Sequence, residues 1–490
     1  MSPSAAETRI IVVGAMLAMF LSALDQTIVA TALPPIARDL GDFALISWVI
    51  TAYLLTSTCV TPIVGKLSDL YGRRRLLTIC LVVFMTGSAL CALAPSMVAL
   101  ILARALQGIG GGGLITLAQT IVADVVSPRE RGRYAGYFAA VWASAALLGP
   151  TLGGVVTQYY GWPWIFWINL PLGLAALLIA DRALRKLPID HHRSPIDYAS
   201  IALLSGATIA LLLVLSLGGF RFAWASREIV GLGVVAVILG ILFVRAQLRS
   251  PEPVLPPRFL GDAAIGPALA AIFVIYGAYL AVAVLAPIYF QVALGAPVGE
   301  AGLLMIPLLL SSTVTANLAG WWTRHAGRYK QPPLIGLPVT VLALALLAVL
   351  ADRLSAPAAS AVMMLAGFGM GPIFPCTTLA AQNAVERRDL GAVSGAIGFA
   401  RALGGAVFVA GASALLLGLI AHALPETGHL ASLEELTRRG LPADARAAVA
   451  GAFGIIFGVI AACFAVGLAI FARIEERTLR DQPAIVTSAD

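Results

Sequence analysis

Charge is what this sequence has least of. Of 490 residues only 12% are Asp, Glu, Lys or Arg, while 60% are hydrophobic; a soluble domain carries about twice that charge. Mean hydropathy is +0.93. So few charged groups cannot cover a chain of this length in water, which excludes a water-soluble enzyme. The lack of long polar tracts excludes disorder. Cysteine is scarce too. Cys59, Cys80, Cys91, Cys376 and Cys463 form no C-x-x-C pair and all lie in apolar runs, so they read as small packing residues rather than a metal or disulfide framework. No G-x-x-x-x-G-K-[ST], nucleophile elbow or H-E-x-x-H occurs, so the chain reads as neither an ATPase nor another enzyme, and no cofactor is expected. Gly108-Ile-Gly110-Gly-Gly-Gly113 fits G-x-G-x-x-G, but no strand precedes it, and close helix packing is the better reading.

What is present is a succession of apolar runs, each long enough to cross a bilayer as a helix. Fourteen are expected, near 10–33, 44–65, 76–94, 98–123, 134–157, 163–181, 197–218, 228–247, 263–290, 299–322, 332–351, 356–384, 391–421 and 447–472. The first lacks a small-residue cleavage site and is too long for a signal segment, so it counts as a span. The net charge is +7. With both termini in the cytoplasm, most Lys and Arg fall in inner loops (Lys66 with Arg73–Arg75, or Arg324, Arg328 and Lys330), so the excess reads as topology and not as nucleic-acid binding. The longest outer loop, near 422–446, carries the amphipathic pattern Leu433-Glu434-Glu435-Leu436.

Two echoes point to a duplication. Gly65-Lys-Leu-Ser-Asp69-Leu-Tyr-Gly72-Arg73 returns as Gly320-Trp-Trp-Thr-Arg324-His-Ala-Gly327-Arg328. Gly132-Arg-Tyr-Ala-Gly136 returns as Gly391-Ala-Val-Ser-Gly395. The expected architecture is an all-α membrane protein of fourteen transmembrane helices: a six-helix bundle over 1–185, a linker with two inserted helices over 186–258, and a second six-helix bundle over 259–490.

Few charges lie within the runs. Asp25 in span 1 is the main one, because a carboxylate in hydrocarbon must be protonated, paired or beside water. Arg104 in span 4 sits at similar depth. Asp25 is read as a proton-carrying group with Arg104 as its partner, or as a static ion pair that fixes helix register. Arg401 in span 13 either meets an anionic substrate group or pairs with a backbone carbonyl. A single mid-membrane acid favours a neutral or singly charged substrate over a dication.

These residues also carry a family resemblance. Gly65-Lys-Leu-Ser-Asp69-Leu-Tyr-Gly72-Arg73 resembles the signature loop of the major facilitator superfamily. Leu24-Asp25 through Leu33-Pro34, Arg104-Ala-Leu-Gln107-Gly108, Gly149-Pro150-Thr-Leu-Gly153-Gly154 and Trp164-Ile-Phe-Trp-Ile-Asn-Leu-Pro171 resemble the motifs of its fourteen-helix drug:proton antiporters. The chain departs from that pattern at Ala30, where Asn is common, and at Ala145, where Gly is preferred. The resemblance implies a monomeric, proton-coupled exporter of hydrophobic or amphipathic small molecules in a bacterial inner membrane. It implies a cytoplasmic charge cluster of Gly65, Asp69, Gly72, Arg73 and Asp124 that holds the inner face closed; retention of topology alone is the plainer alternative. It implies that Gly149, Pro150, Gly153 and Gly154 let span 5 pack closely, usually on the second and eighth helices of the twelve-helix plan. Tyr53, Gln107, Trp142, Tyr276, Tyr279, Asn317, Phe374 and Arg401 are the cavity candidates, each equally readable as packing. A dedicated exporter of one metabolite, lipid or siderophore is a second reading, and a non-transporting sensor or scaffold a third.

Overall fold

The structure is a computed structural model that describes residues 4–42, 45–185, 197–219, 221–423 and 443–479. Fourteen helices in it are long and apolar enough to span a membrane: α1 Ala6–Leu40, α2 Trp48–Tyr71, α3 Arg73–Ala92, α4 Met97–Val125, α5 Pro128–Tyr160, α6 Trp164–Arg182, α7 Tyr198–Leu217, α8 Arg227–Arg249, α9 Ile265–Ala293, α10 Gly299–Ala326, α11 Gln331–Leu350, α12 Ala356–Asn383, α13 Arg387–Ala423 and α14 Arg446–Ala472. The chain is thus a multi-pass membrane protein with the expected number of spans. The pattern Leu433–Leu436 falls outside the described residues.

Helix ends follow local chemistry. Ser96 caps α4 by accepting the Ala99 amide. Gly72 ends α2 with φ +86° and Gly327 ends α10 with φ +69°. These two glycines occupy matching places in the first echo, where the chain needs a conformation that side chains disfavour. The largest boundary difference is at α1, which runs through Pro34 and Pro35 to Leu40, although a proline pair normally ends a helix. Packing overrides it: Ile36 and Ala37 are fully buried, and the Trp162 indole donates to the Asp39 carboxylate over 2.9 Å.

Each half is built from close helix pairs. α4 packs on α2, α3 and α1, and α1 packs on α5 and α6; in the other half α9 packs on α13 and α14, and α11 on α12 and α14. The glycine run of α4 makes the first set possible. A Cβ at Gly110 would lie 2.6 Å from the Cys80 carbonyl oxygen of α3, and one at Gly112 would run into Ser57 of α2. That is helix packing, as the sequence suggests. α7 and α8 pair with each other, and α7 leans on α2 and α13. α8 has only 6% of its apolar window buried, so it faces lipid.

The halves meet along two seams, α2 against α13 and α5 against α10. They are the same seam under the internal repeat, because α2 matches α10 and α5 matches α13. The second echo explains it. Gly391 and Gly395 lie against Gly65 and Pro62, and Gly136 lies against Asn317. All of these contacts fall toward the end of the bundle that carries Arg73–Arg75, termed the basic end below.

Candidate functional site

Asp25 is completely buried. Its Oδ2 accepts from Arg104 Nη1 over 2.5 Å. Its Oδ1 accepts from Gln107 Nε2 and Asn169 Nδ2, each over 2.8 Å. Arg104 is held in turn: it donates to Gln107 Oε1 over 2.7 Å and to the Val49 carbonyl over 3.1 Å. Its guanidinium carbon lies 4.3 Å from the centre of the Tyr53 ring, a cation–π contact. Asn169 also donates to Ser88 Oγ, which donates to the Phe166 carbonyl. α1, α2, α3, α4 and α6 therefore close one network around a single carboxylate.

Two cavity candidates belong to this network instead. Gln107 is fully buried and Tyr53 is 1% exposed, so neither lines an open cavity. The helical phase contains the reason. Gln107 stands three residues after Arg104, and Tyr53 four after Val49, so each faces the way its partner does. Asn169 is the member that the sequence reading left without a role. Its signal was a lone amide in the otherwise apolar opening of α6.

The glycines of α5 also land differently from the family plan. A Cβ at Gly149 would collide with Thr27 Oγ1 and one at Gly153 with Thr31 Oγ1, both on α1, whereas Gly154 has open space. Pro150 lies exposed within α5. The motif thus packs α5 on α1; α5 reaches α10, the eighth helix of a twelve-helix plan, through Gly136 near the basic end. Ala145 fits where Gly is preferred: it is fully buried, and its carbonyl accepts from Thr27 Oγ1 over 2.8 Å. Trp142 is half-buried on the same helix beside Ala23, Leu24 and Ala145.

A second carboxylate cluster sits at the basic end. Arg73 pairs with Asp69 and, through Nε, with Asp124 over 2.8 Å. The other half supplies the remaining partners. Asp69 accepts the amides of Gly391 over 2.9 Å and Ala392 over 2.7 Å. These amides open the α-helical part of α13, which begins at Leu390, so the carboxylate caps a helix N-terminus across the seam. Arg387 approaches Asp124 from the same side at 3.9 Å. A Cβ on Gly65 or Gly391 would run into the other residue's carbonyl oxygen. Around this cluster, Lys66 pairs with Glu252 over 2.7 Å and Arg258 with Asp389 over 2.7 Å. The segment after α8 is thereby tied to both halves.

The remaining candidates lie in the second half. Tyr276, Tyr279, Phe374 and Arg401 are half-buried. The Arg401 guanidinium carbon is 4.9 Å from the Phe374 ring centre and 5.5 Å from that of Tyr276. The Tyr279 ring centre lies 5.9 Å from that of Tyr276, with the ring planes tilted by 47°. Asn317 is exposed on α10 and donates to the Thr313 carbonyl one turn back.

The sequence profile of the Major Facilitator Superfamily matches residues 15–197 and 198–409. The multidrug transporter protein MdtP of Bacillus subtilis is 36% identical over 81% of this chain and 73% of its own length. The efflux pump dotC of the fungus Dothistroma septosporum is 35% identical over 86% of this chain and 74% of its own length. Among solved structures, the proton:xylose symporter XylE bound to 6-bromo-6-deoxy-D-glucose superposes with a TM-score of 0.64 at 14% identity, covering 99% of each chain. Profile, relatives and fold agree: the chain belongs to the Major Facilitator Superfamily.

Proposed function

We propose that this chain is a proton-coupled exporter of hydrophobic or amphipathic small molecules, working by alternating access as a monomer. Its setting is a bacterial inner membrane with both termini in the cytoplasm; the basic end is then the cytoplasmic face. The halves 1–185 and 259–490 rock about the central axis, with 186–258 as a linker that carries two added spans. Relatives named as multidrug transporter and efflux pump support the export reading.

The observation that carries the mechanism is the sealed Asp25 network. Each oxygen of the carboxylate has a donor, and every donor belongs to the first half. Rigid rocking of one half against the other does not alter those distances. A proton does. On protonation the attraction between Asp25 and Arg104 is lost, and Arg104 keeps Gln107 Oε1 and the Val49 carbonyl as acceptors. The released cation loosens the contacts among α1, α4 and α6, and deprotonation restores them. Coupling arises because the cluster at Asp69 and the seams respond to how those helices sit.

Efflux of a panel of labelled amphipathic compounds, driven by a pH gradient in vesicles, tests this. The wild-type protein is expected to extrude at least one compound. Asp25→Asn is expected to abolish gradient-driven flux while remaining folded and inserted. Full proton-driven efflux by that variant would end the assignment.

A further inference from the structure

We propose that Arg401 receives an acidic head group, so that the compound moved is an amphipathic anion carrying a carboxylate, sulfonate or phosphate. This rests on the exporter reading above and narrows it. The first step is position. Along α13, Gly391 packs on Gly65, Gly395 on Pro62 and Thr61, and Gly398 on Thr61 with Thr116 beyond it. The next glycine, Gly404, turns instead to Phe273 of α9, within its own half. Arg401 lies between these two sets, where the glycine contacts of α13 pass from α2 to its own half.

The second step is charge. Among the described residues Arg401 makes no hydrogen bond or ion pair; its contacts are the faces of Tyr276 and Phe374. The buried acids of the spans are committed elsewhere, Asp389 to Arg258 among them. Asp25 is held by Arg104, and Asp69 and Asp124 by Arg73. A cation at membrane depth without a counter-ion is costly, and two aromatic faces offset only part of that cost. Ring contacts occupy the planar faces of a guanidinium and leave its N–H edge as a fork for a planar or tetrahedral anion. Arg401 is half-buried, so that edge is reachable. Tyr276, Tyr279 and Phe374 offer an apolar wall for the rest of the molecule.

Equilibrium binding to purified full-length protein of three probes with one ring system tests this: naphthylacetate, naphthylacetamide and naphthylethylammonium. The wild type is expected to bind the acid about 10-fold or more tightly than the amide, and the ammonium weakest. Arg401→Gln is expected to erase the preference for acid over amide, and thermal unfolding in detergent close to wild type shows that the variant is folded. Arg401→Lys is expected to retain a reduced preference. Wild-type protein that binds the acid no better than the amide, or Arg401→Gln that keeps the preference, overturns the proposal. Selective binding of the acid without pH-driven flux in vesicles supports the anion site and ends the exporter reading instead.

Discussion

Asp25 and Asp69 are both buried carboxylates held by an arginine, yet they sit in opposite kinds of structure. Every donor to Asp25 belongs to the same half of the protein. Asp69 shares Arg73 with its own half and takes two amides from the other. The first arrangement changes only when a charge is removed. The second breaks whenever the halves separate, with no change of protonation. Under the proposed mechanism the first cluster answers to the proton and the second to the rocking of the halves. Burial alone would not have told them apart; the ownership of the partners does.

The comparison is broken most severely at Arg104. Arg104→Leu leaves the Asp25 carboxylate buried without its cation, a loss of about 3–5 kcal/mol. Thermal unfolding in detergent is expected to show a large drop, with most of it recovered in the Arg104→Leu, Asp25→Leu double variant. Additive losses in that double-variant cycle would mean that the pair is not a unit.

Next comes the seam. Gly391→Val places a branched side chain against the Gly65 carbonyl oxygen, where even a Cβ collides. The closed basic end is expected to give way, so that a cysteine introduced at Ser68, now 1% exposed, reacts readily with an impermeant maleimide. Unchanged labelling would show that the seam is not held by this crossing.

Asp69→Asn sharpens the contrast with less force. It keeps the side-chain shape and removes the charge from the cap on α13, worth about 1.5–3 kcal/mol for a hydrogen bond to a charged group. Labelling at the same cysteine is expected to rise by about 10-fold or more, while the response of transport to the proton gradient keeps its pH midpoint. A shifted midpoint would merge the two clusters into one.

The smallest effect is at Asp262, before α9. Burial pushes its carboxyl up, but the amides of Ala264 and Ile265 and the Arg477 guanidinium outweigh it and hold it below the usual carboxylate range. A lowered folded value gives stability that is present above the unfolded pKa of about 4 and lost as pH falls through the folded one. Asp262→Asn, which keeps the cap and removes the charge, is therefore expected to cost about 0.3–1 kcal/mol at neutral pH and progressively less in acid. Equal loss at all pH values would assign the effect to shape alone.

Much of this was legible in the sequence, for reasons that differ from residue to residue. The spans were readable because hydrocarbon demands about 20 apolar residues whatever surrounds them. Gly72 and Gly327 were readable as matching positions of a repeated stretch, and their positive φ, which few other residues tolerate, supplies the reason. The pairing of Asp25 with Arg104 followed from the cost of leaving either alone. Tyr53 and Gln107 were left open between cavity and packing, because polarity marks a residue as special without saying which way its face of the helix is turned. Asn169 was passed over because a single amide in an apolar run has no sequence neighbour to reveal its partner.

The sequence by itself determined that the chain spans a membrane fourteen times, where two short motifs recur along it, and which few charges must find partners there. Those are consequences of the solvent and of local geometry, and they hold for each segment separately. Only the tertiary structure decided which half owns each partner. It joined residues 144 apart in Asn169–Asp25 and 322 apart in Gly391–Asp69. Among the described residues it also left Arg401 with rings instead of an acid. Contacts between helices depend on how each is turned about its axis, and that rotation is set by packing against all its neighbours at once.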